Sequence, residues 1–548
     1  MPPQKPSAAE GLKSSSNYLR GPLAEEMRND TDVFSRTANG LLKFHGIYQQ
    51  DDRDLRKASP EKVYSSMVRV GIAGGVVSAE QYLTLDALAD SAGDGSLRVT
   101  SRQDVQYHYV GKRNLKALIS AVNGAGLSTL AACGDVVRNV TCDTTPVESA
   151  ERGDLLALAR RVRESLKPRT GAYAEIWLDG EKAASLTSGE EEEPLYGATY
   201  LPRKFKIAFT FEGENLIDIY SNDLGFVPHY EGGVLAGFTV LAGGGMGQSN
   251  GVKGSHPRMA DPVGFIGASE ELVLAVAKAA VAIHRDFGNR ENRRLARLKY
   301  VLDERGVEWF RGELEARIGW RLAPPRELTW RRQEDYLGWH RQGEERWFFG
   351  LRVVSGRLKG GVRQAVCDAV KATGCEVRFT VQQNLLLAGL SSEGRTVVGE
   401  ILRRHGVPMP MELPPVLRHS MACVSLPTCG QAITESERVL PQVADDLQKE
   451  LDTVGLDRQI VHVRMTGCPN GCARPYTAEI GIVGESVGLY TIYLGGSPRA
   501  DRLARAWKRL VPLAGLGEAL RPLFGRYASE RASGEAFGDW CERQLEWG

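Results

Sequence analysis

The feature that most constrains the fold of this chain is a weak internal repeat. Residues 96–104 (SLRVTSRQD) resemble residues 376–384 (EVRFTVQQN), and both contain the pattern Arg-x-Thr-x-x-Gln. Further on, residues 222–245 resemble residues 478–497, since each has a Gly-containing strand before a second strand that ends in a Gly-rich turn. The order is the same in both copies, and the period is far too long for a solenoid. We therefore predict two related halves about a pseudo-twofold axis, a natural place for one large shared ligand.

The join between the halves is expected near residues 321–330 (RLAPPRELTW), because Pro324 and Pro325 break any helix there. Strand-like runs such as residues 460–465 alternate with helix-like stretches such as residues 271–284. The pattern predicts a mixed α/β protein, and 548 residues are enough for about three or four domains.

Composition excludes some classes of protein. The net charge is +1, so a chain-wide nucleic-acid-binding surface is not expected and any basic site must be local. The opening stretch MPPQKPSAAEGLKSSS lacks the apolar core of a signal peptide and is expected to be a disordered lead-in. The apolar stretch at residues 271–284 contains Lys278 and is too short to span a bilayer. These features predict a cytoplasmic protein.

The chain has nine cysteines, an odd number that argues against a secreted disulfide framework. Four of them form two pairs on turns, Cys423 and Cys429 in MACVSLPTCGQAI and Cys468 and Cys472 in TGCPNGC. Nearby Gly and Pro residues fix tight turns that can aim sulfur atoms at one point. Four thiolates suit zinc or an iron–sulfur cluster, although the wider first spacing is unusual for zinc. The alternative is four buried thiols that act as small hydrophobic side chains.

The motifs ACVSLPTC and TGCPNGC resemble the cluster signature of the sulfite/nitrite reductase family, in particular its assimilatory NADPH-type sulfite reductases. Other stretches resemble the same family, in order along nearly the whole chain. They are SNYLRG (16–21), FHGIYQQDDRD (44–54), AYAEIWLDGEK (172–182), YLPRKFK (200–206) and GEAFGDW (534–540). The resemblance implies a duplicated α/β (α+β) architecture of three domains around a sirohaem and a [4Fe–4S] cluster. It also implies that Cys423, Cys429, Cys468 and Cys472 hold the cluster, with Cys472 bridging to the sirohaem iron.

The same resemblance implies the domain boundaries. An N-terminal extension that wraps the core is expected at residues 1–60. Paired ferredoxin-like half-domains are expected at residues 61–130 and 331–410. A sirohaem and substrate-cage domain is expected at residues 131–330, and a cluster and sirohaem domain at residues 411–548.

Four basic residues lie in settings that suit an oxyanion site. Arg69 and Arg138 occur in strand-like runs, MVRVGIAGG and VVRNVTC. Lys204 and Lys206 flank Phe205 at the spacing that puts both on one face of a strand. Taken alone, each of the four would more often be a solvated surface cation. The resemblance implies instead that they form the substrate cage, where they would hold sulfite and stabilise developing negative charge.

The run at residues 97–109 (LRVTSRQDVQYHY) alternates so that Arg98, Thr100 and Arg102 share one face of a predicted strand. Taken alone, this would be an amphipathic strand with a polar outer face. The resemblance assigns polar residues of this run, and two others, to contacts with the sirohaem. They are Arg98, Thr100, Arg102, Gln106, His108, Arg203 and Asn470. The Gly-rich turn at residues 243–245 is expected to offer backbone N–H groups to a carboxylate.

The resemblance implies six-electron reduction of sulfite to sulfide, in assimilatory sulfate reduction and cysteine biosynthesis. No FAD or NADPH fingerprint is evident, so electrons are expected from a partner flavoprotein that carries FAD, FMN and NADPH. Alternatives within the family are a ferredoxin donor and nitrite as substrate, although VSLPT between the first cysteines looks like the sulfite type. The alternative from another class is a non-enzymatic four-cysteine zinc or electron-carrier protein. One departure stands out, since Gly71 lies where the enterobacterial pattern has a second Arg.

Overall fold

The computed structural model describes residues 5–59, 61–147, 149–173, 175–178, 181–185, 193–249, 251–331 and 336–547. The AYAEIWLDGEK stretch therefore lies partly outside the described residues. Short and long helices are spread along the whole chain. The α-helices are α1 (Ala8–Ser14), α2 (Leu23–Glu26), α3 (Arg36–Leu42), α4 (Leu55–Ala58), α5 (Ala79–Ala92), α6 (Leu115–Gly124), α7 (Ala150–Ser165), α8 (Glu270–Phe287), α9 (Leu298–Arg305), α10 (Val307–Ile318), α11 (Gly360–Thr373), α12 (Ser392–Arg404), α13 (Pro415–Arg418), α14 (Leu440–Thr453), α15 (Leu516–Glu530) and α16 (Phe537–Gln544).

Within the described residues, the strands group into four five-stranded sheets and one two-stranded sheet, β7–β8. They are β1 (Ile47–Asp51), β2 (Tyr64–Val70), β3 (Val76–Val77), β4 (Leu97–Val99), β5 (Val105–Val110), β6 (Thr141–Cys142), β7 (Glu175–Leu178), β8 (Glu181–Ser185), β9 (Ile207–Phe209), β10 (Leu224–Glu231), β11 (Val234–Ala242), β12 (Asp261–Gly267), β13 (Gly338–Arg341), β14 (Trp347–Leu351), β15 (Arg357–Leu358), β16 (Glu376–Phe379), β17 (Leu385–Leu390), β18 (Ser420–Ala422), β19 (Val463–Thr466), β20 (Ile480–Ser486), β21 (Leu489–Leu494) and β22 (Arg505–Pro512).

Two of the sheets are antiparallel and exchange an edge strand. The first has the order β1-β2-β5-β4-β15, and the second has the order β13-β14-β17-β16-β3. Each sheet thus takes its last strand from the other half of the chain: Arg357 pairs with Arg98, and Val76 pairs with Arg378. This reciprocal exchange ties the two halves into one unit. β1 lies in the stretch predicted as an N-terminal extension, yet it forms the opposite edge of the first sheet.

The repeated motif forms the same turn in both antiparallel sheets. Gln103 and Gln383 both adopt positive φ angles, 60° and 67°. This conformation is uncommon for a residue with a side chain, and a hydrogen bond holds each one in place. The Nε2 of Gln103 donates to the carbonyl of Cys142 at 2.8 Å, and the Nε2 of Gln383 donates to the carbonyl of Ala422 at 2.7 Å. Each turn therefore anchors its antiparallel sheet to the first strand of a mixed sheet.

The two mixed sheets have the same topology. One has the order β12-β11-β10-β9-β6 and the other has the order β18-β19-β20-β21-β22. In each, three parallel strands (β6, β9 and β10, or β18, β19 and β20) are followed by two antiparallel ones. Ile207 pairs with Leu224 in the first copy, as Val463 pairs with Ile480 in the second. The predicted duplication and the mixed α/β class are both confirmed.

Long helices cover these sheets with apolar faces. In α8, the Ser269 hydroxyl caps the first turn by accepting the N–H of Leu272 at 3.3 Å, and two glutamates follow it. Its buried side chains recur at helical spacing, including Val273, Val276 and Ala280. The helix confirms the prediction made for residues 271–284. No helix in the described part of the chain is both long and apolar enough to cross a bilayer.

Three predictions of local structure were wrong. The stretch predicted as a disordered lead-in contains α1 (Ala8–Ser14), in which buried Lys13 donates to Glu10 at 2.6 Å. Residues 97–109 form a hairpin, β4 and β5, and not one continuous strand. The Thr100 hydroxyl accepts the N–H groups of Arg102 at 3.2 Å and Asp104 at 3.1 Å, which closes a turn between the two strands. Arg138 lies in a loop, where its neighbour Val137 makes one isolated bridge to Phe205.

Candidate functional site

The two cysteine turns meet at one edge of the second mixed sheet. β18 ends one residue before Cys423, and β19 ends two residues before Cys468. These strands are parallel neighbours, so their carboxyl ends lie at the same edge. Cys429 and Cys472 follow on the same two turns. The fold therefore brings the four cysteines of the predicted cluster site together.

Gly467 fixes the geometry between the two turns. Its N–H donates to the sulfur of Cys423 at 3.4 Å. Its carbonyl accepts the N–H groups of Ile433 at 2.8 Å and Thr434 at 3.1 Å. A Cβ at this position would lie 1.9 Å from the Ser425 hydroxyl, so a larger residue cannot fit without moving the turn. Glycine at position 467 thus allows the close approach of backbone and thiol.

The four thiols affect one another electrostatically. Burial, followed by the nearby Cys472, raises the pKa of the Cys423, Cys429 and Cys468 thiols, to about 12 for Cys468. Such thiols become ligands only when a bound metal centre stabilises the thiolates. Among the described residues, no three Cys, His, Asp or Glu side chains are arranged to hold a single metal ion.

Backbone N–H groups face three of the four sulfur atoms. The donor and acceptor pairs are Gly467 with Cys423, Gln431 and Ala432 with Cys429, and Asn470 with Cys468. Thiolates that hold iron–sulfur clusters are stabilised by such donors. The residues present therefore fit a thiolate-bound cluster, and Asn470 contacts Cys468 through both its backbone and its side chain.

Cys472 is the exposed thiol of the group. It lies within electrostatic range of Arg69 and Lys204, two of the predicted cage residues. Its carbonyl accepts the Ser101 hydroxyl at 2.9 Å, which joins the cysteine turn to the hairpin of the first sheet. Cys472 is thus the point where the thiol group and the basic residues meet.

Arg69 and Arg138 converge beside it. The Nη1 atoms of Arg69 and Arg138 donate to the same carbonyl, that of Ala132, at 3.5 and 3.4 Å. Arg69 is also opposite Gln106, whose amide oxygen accepts from its Nη2 at 2.7 Å when it faces the guanidinium. Burial opposes the charge on Arg69, but nearby groups outweigh burial and raise its pKa. These groups are Cys133, Asp104, Tyr48 and Cys472.

Lys204 and Lys206 lie on the segment next to Arg138. Phe205 donates its N–H to Val136 at 3.0 Å, and its carbonyl accepts the N–H of Arg138 at 2.8 Å. Phe205 is buried and the two lysines are half-buried, as their alternation predicts. Burial, and then Arg203, lowers the pKa of Lys204 to about 7. Burial also lowers the pKa of Lys206, with smaller contributions from Arg102 and Lys204.

The chain therefore places Arg69 and Lys204 within electrostatic range of an exposed thiol, with Arg138 and Lys206 on adjoining segments. Cations gathered in this way can stabilise a bound anion through charge-assisted hydrogen bonds.

Known proteins resemble the chain over nearly its whole length. Sulfite reductase (NADPH) hemoprotein beta-component of Myxococcus xanthus (strain DK1622) is 44% identical, covering 99% of this chain and 97% of that protein. The proteins of the same name from Paenibacillus sp. (strain JDR-2) and Shewanella pealeana are 43% and 42% identical, over 98% and 99% of this chain and 95% and 97% of their own. The chain belongs to the nitrite and sulphite reductase family.

Two models of reductase domain families match segments in both halves of the chain. "Nitrite/Sulfite reductase ferredoxin-like half domain" matches residues 59–125 and 340–405, which carry most of the two antiparallel sheets. "Nitrite and sulphite reductase 4Fe-4S domain" matches residues 159–322, which cover most of the first mixed sheet. The four cysteines lie in the second copy, outside that match. The structure of Mycobacterium tuberculosis NirA protein shares the fold, with a TM-score of 0.80 at 23% identity over 99% of this chain and 97% of that one.

The residues assigned to a sirohaem shell have mixed surroundings in this family member. Arg98 donates to Glu437 at 2.9 Å and to the Ala422 carbonyl at 2.8 Å. Arg102 donates to Asn222 at 2.9 Å and also to two backbone carbonyls. Both guanidinium groups thus tie the hairpin to neighbouring segments. Arg203 lies 4.0 Å from the carboxylate of Asp135.

His108 makes no such side-chain hydrogen bonds to the described residues. It is buried, and neither ring nitrogen has a hydrogen-bond partner among the described residues. Burial, followed by Arg357, Arg98 and Arg69, lowers its pKa, so the ring is neutral. A buried imidazole without partners fits a site that a polar cofactor completes.

The expectation for the Gly-rich turn was wrong. The N–H groups of Gly243, Gly244 and Gly245 already donate to backbone carbonyls at 3.0, 2.9 and 2.8 Å. The acceptors are the carbonyls of Asp223, Asn222 and Arg258. These N–H groups are therefore not available to a sirohaem carboxylate.

Sequence reasoning missed the ion pairs that support the site. Arg297 pairs with buried Asp223 at 2.6 Å, and the same carboxylate accepts the backbone N–H of Lys206 at 2.8 Å. Arg464 pairs with buried Asp218 at 2.5 Å, and Arg474 pairs with it as well. No local pattern marks these pairs, because their members lie far apart in the sequence.

Proposed function

We propose that this chain is the hemoprotein subunit of an assimilatory sulfite reductase and reduces sulfite to sulfide. The observation that carries the proposal is the position of Cys472, the exposed member of the thiol group, within electrostatic range of Arg69 and Lys204. The names of the relatives from Myxococcus, Paenibacillus and Shewanella support the same activity. The reaction takes six electrons, and protons carry off the three oxygens of sulfite as water.

We propose that four thiolates hold a [4Fe–4S] cluster, from Cys423, Cys429, Cys468 and Cys472. Cys472 would also bind the iron of a sirohaem. The proposed sirohaem shell is Arg98, Thr100, Arg102, Gln106, His108, Arg203 and Asn470. When bound, the two groups supply electrons and a metal site for the sulfur atom. Orphaned His108 and the N–H groups around the thiols support this assignment.

The proposed roles of the four cage residues differ with their chemistry. Arg69 and Arg138 carry guanidinium groups, so they bind the oxyanion and stabilise charge that develops on it. Lys204 has its pKa lowered to about 7 by burial and Arg203, so it can hold or give up a proton near neutral pH. Lys206 lies on the same side of the segment and extends the cationic surface. This division gives the site both permanent charge and a titratable proton donor.

We propose that electrons come from a partner flavoprotein that carries FAD, FMN and NADPH. The names of the relatives specify NADPH and a beta component, which supports a second, flavin-bearing subunit. The Gly-rich turn at residues 243–245 has no free N–H groups for a dinucleotide phosphate, which also favours an external donor. A ferredoxin is the alternative donor. We propose a cytoplasmic location, consistent with thiol ligands that need a reducing compartment.

The test is turnover of the purified full chain with a chemically reduced dye as donor, comparing sulfite with nitrite. We expect sulfide from sulfite at the higher kcat/KM. A clear preference for nitrite would change the substrate, and no turnover of either anion by sirohaem-loaded protein would refute the proposal. Replacing the dye by a flavoprotein with NADPH, or by reduced ferredoxin, then identifies the donor.

A further inference from the structure

The two antiparallel sheets offer an internal comparison at Gly71. Arg69 of β2 pairs with β5, and two residues later comes Gly71. In the second copy, Gly350 of β14 pairs with β17 at the equivalent position, and two residues later comes Arg352. A short helical turn begins two residues after each. The duplicated strand position thus has a glycine in the first half and an arginine in the second.

The arginine of the second copy, Arg352, donates hydrogen bonds to several acceptors. The guanidinium of Arg352 donates to Asn384 at 2.9 Å, to the Ser420 carbonyl at 2.6 Å and to the Leu417 carbonyl at 3.0 Å. A cation at this strand position therefore fits the fold and finds acceptors there.

In the first copy, a guanidinium enters the equivalent space from another element. A Cβ built on Gly71 would lie 2.5 Å from Nη2 and 3.4 Å from Cζ of Arg163, which belongs to the last turn of α7. Gly71 is outside the left-handed region of backbone conformation, so conformational freedom does not explain the glycine. What Gly71 contributes is space for the Arg163 guanidinium.

This guanidinium lies on the face of the site. Successive residues of an extended strand point to opposite faces, so Gly71 and Arg69 share one. The built Cβ of Gly71 is 3.6 Å from that of Ala132, whose carbonyl accepts both Arg69 and Arg138. Arg163 therefore approaches the same group of cations.

Arg163 has little to bind in the chain itself. Its side chain is 11% exposed. Within the described residues its one ion pair is with Glu164 at 3.7 Å, and that carboxylate is 60% exposed. Buried Asp104 interacts electrostatically with Arg163, Arg69 and Arg102. Among the described residues, one of its carboxylate oxygens has no hydrogen-bond partner. A guanidinium with five N–H donors thus has capacity for another acceptor.

We propose that Arg163 is a binding residue of this site, delivered from α7 through the space above Gly71, and that it takes an anionic oxygen there. The oxygen belongs either to a carboxylate of the tetrapyrrole or to the substrate oxyanion. The inference rests on the proposed function and adds a fifth cation to the site. Gly71 and Arg163 act as a pair: the absence of a side chain at Gly71 leaves the space that the Arg163 guanidinium occupies.

The test compares Arg163→Met with Arg161→Met in the full-length chain. Arg161 is a matched control on the same helix, since its side chain is 51% exposed and pairs with Glu270 on the surface. Two measurements are made: sirohaem bound per chain, and the Kd of sulfite from the visible spectrum without reductant. Loss of a charge-assisted contact predicts a change of about tenfold or more in one of them. Reduced sirohaem content assigns Arg163 to the tetrapyrrole, whereas a raised sulfite Kd and KM with little change in kcat assign it to the substrate.

Two further variants separate charge from folding. Arg163→Lys keeps the charge and should retain more binding than Arg163→Met. The double variant Gly71→Arg with Arg163→Met returns the cation to the strand and should recover part of the loss. The inference is overturned if Arg163→Met behaves like Arg161→Met in both measurements, if it alters thermal stability alone, or if the double variant is no better. A wild-type protein that binds no sirohaem would refute the proposed function itself, and so the two failures are distinguishable.

Discussion

Arg69 and Arg138 donate to one carbonyl oxygen, that of Ala132, from two separate segments of the chain. Two guanidinium groups that share an acceptor repel each other, and burial strengthens the repulsion. A bound anion relieves it. The arrangement therefore favours a bound anion, and Lys204 lies within electrostatic range of both Arg138 and Cys472.

Lys204→Met is expected to lower sulfite turnover and leave the sirohaem spectrum intact. In the wild type, burial and Arg203 lower the pKa of Lys204 to about 7, so its charge is present below this pH and is lost as pH rises through it. Sulfite affinity should therefore fall with rising pH by more in the wild type than in Lys204→Arg, which stays charged. Because sulfite titrates in the same range, the difference between the two proteins is the quantity to measure. Unchanged kinetics in Lys204→Met would remove this lysine from the cage.

Cys472→Ser is expected to abolish sulfite reduction and to remove the coupled sirohaem and cluster spectrum. A hydroxyl does not replace a thiolate as a ligand, so the sirohaem and the cluster that Cys472 is proposed to hold would both lose this ligand. Cys541→Ala is the control, since Cys541 is a buried thiol in α16, outside the four-cysteine group. Near-normal turnover in Cys472→Ser would contradict the assignment.

Gly467→Ala is expected to lower iron and acid-labile sulfide per chain by several-fold. The new Cβ would lie 1.9 Å from the Ser425 hydroxyl and displace the N–H that faces Cys423. Gly430→Ala is a close control, because it follows Cys429 directly but a Cβ there has no atom within 4 Å. Equal cluster content in the two variants would mean that the close packing at Gly467 does not matter for the cluster.

Asp218→Asn is expected to destabilise the protein by about 3–5 kcal/mol, because it leaves two buried arginines without their counter-charge. Burial opposes ionisation of Asp218, but Arg464 and Arg474 outweigh it and lower its pKa. The stabilisation is therefore present above the unfolded value of about 3.9 and is lost as pH falls through the lower folded value. Denaturant unfolding at several pH values should show a gap between wild type and variant that is constant near neutrality and shrinks below about pH 4. A gap that does not depend on pH would contradict this account.

The duplication could be predicted from the sequence because both copies of the turn need the same short motif. The motif around Gln103 and Gln383 recurs because both turns need the same backbone conformation and the same side-chain anchor. The exchange of β3 and β15 could not be predicted, because two-residue strands carry no periodic signal. The hairpin at residues 97–109 was missed because polar and apolar residues alternate through the turn as they would in one strand. The Thr100 hydroxyl stabilises that turn by accepting the N–H of Asp104.

The candidate site shows the same division. The cysteines and the lysine pair could be predicted, since their spacing within a few residues defines a turn and a strand face. The contributions of Asp223 and Arg163 depend on contacts between distant segments, and a single sequence does not record these. In the sequence, Gly71 stood out because the enterobacterial pattern has an arginine at this position. The structure relates that absence to the guanidinium of Arg163.

The most direct test of the central claim is the content of iron, acid-labile sulfide and tetrapyrrole per chain, in protein purified without air from cells that make sirohaem. A coupled site predicts about five irons, about four sulfides and one sirohaem for each chain, since a cubane cluster and one macrocycle would share Cys472. Zinc in place of iron, or iron without any tetrapyrrole, would contradict the account.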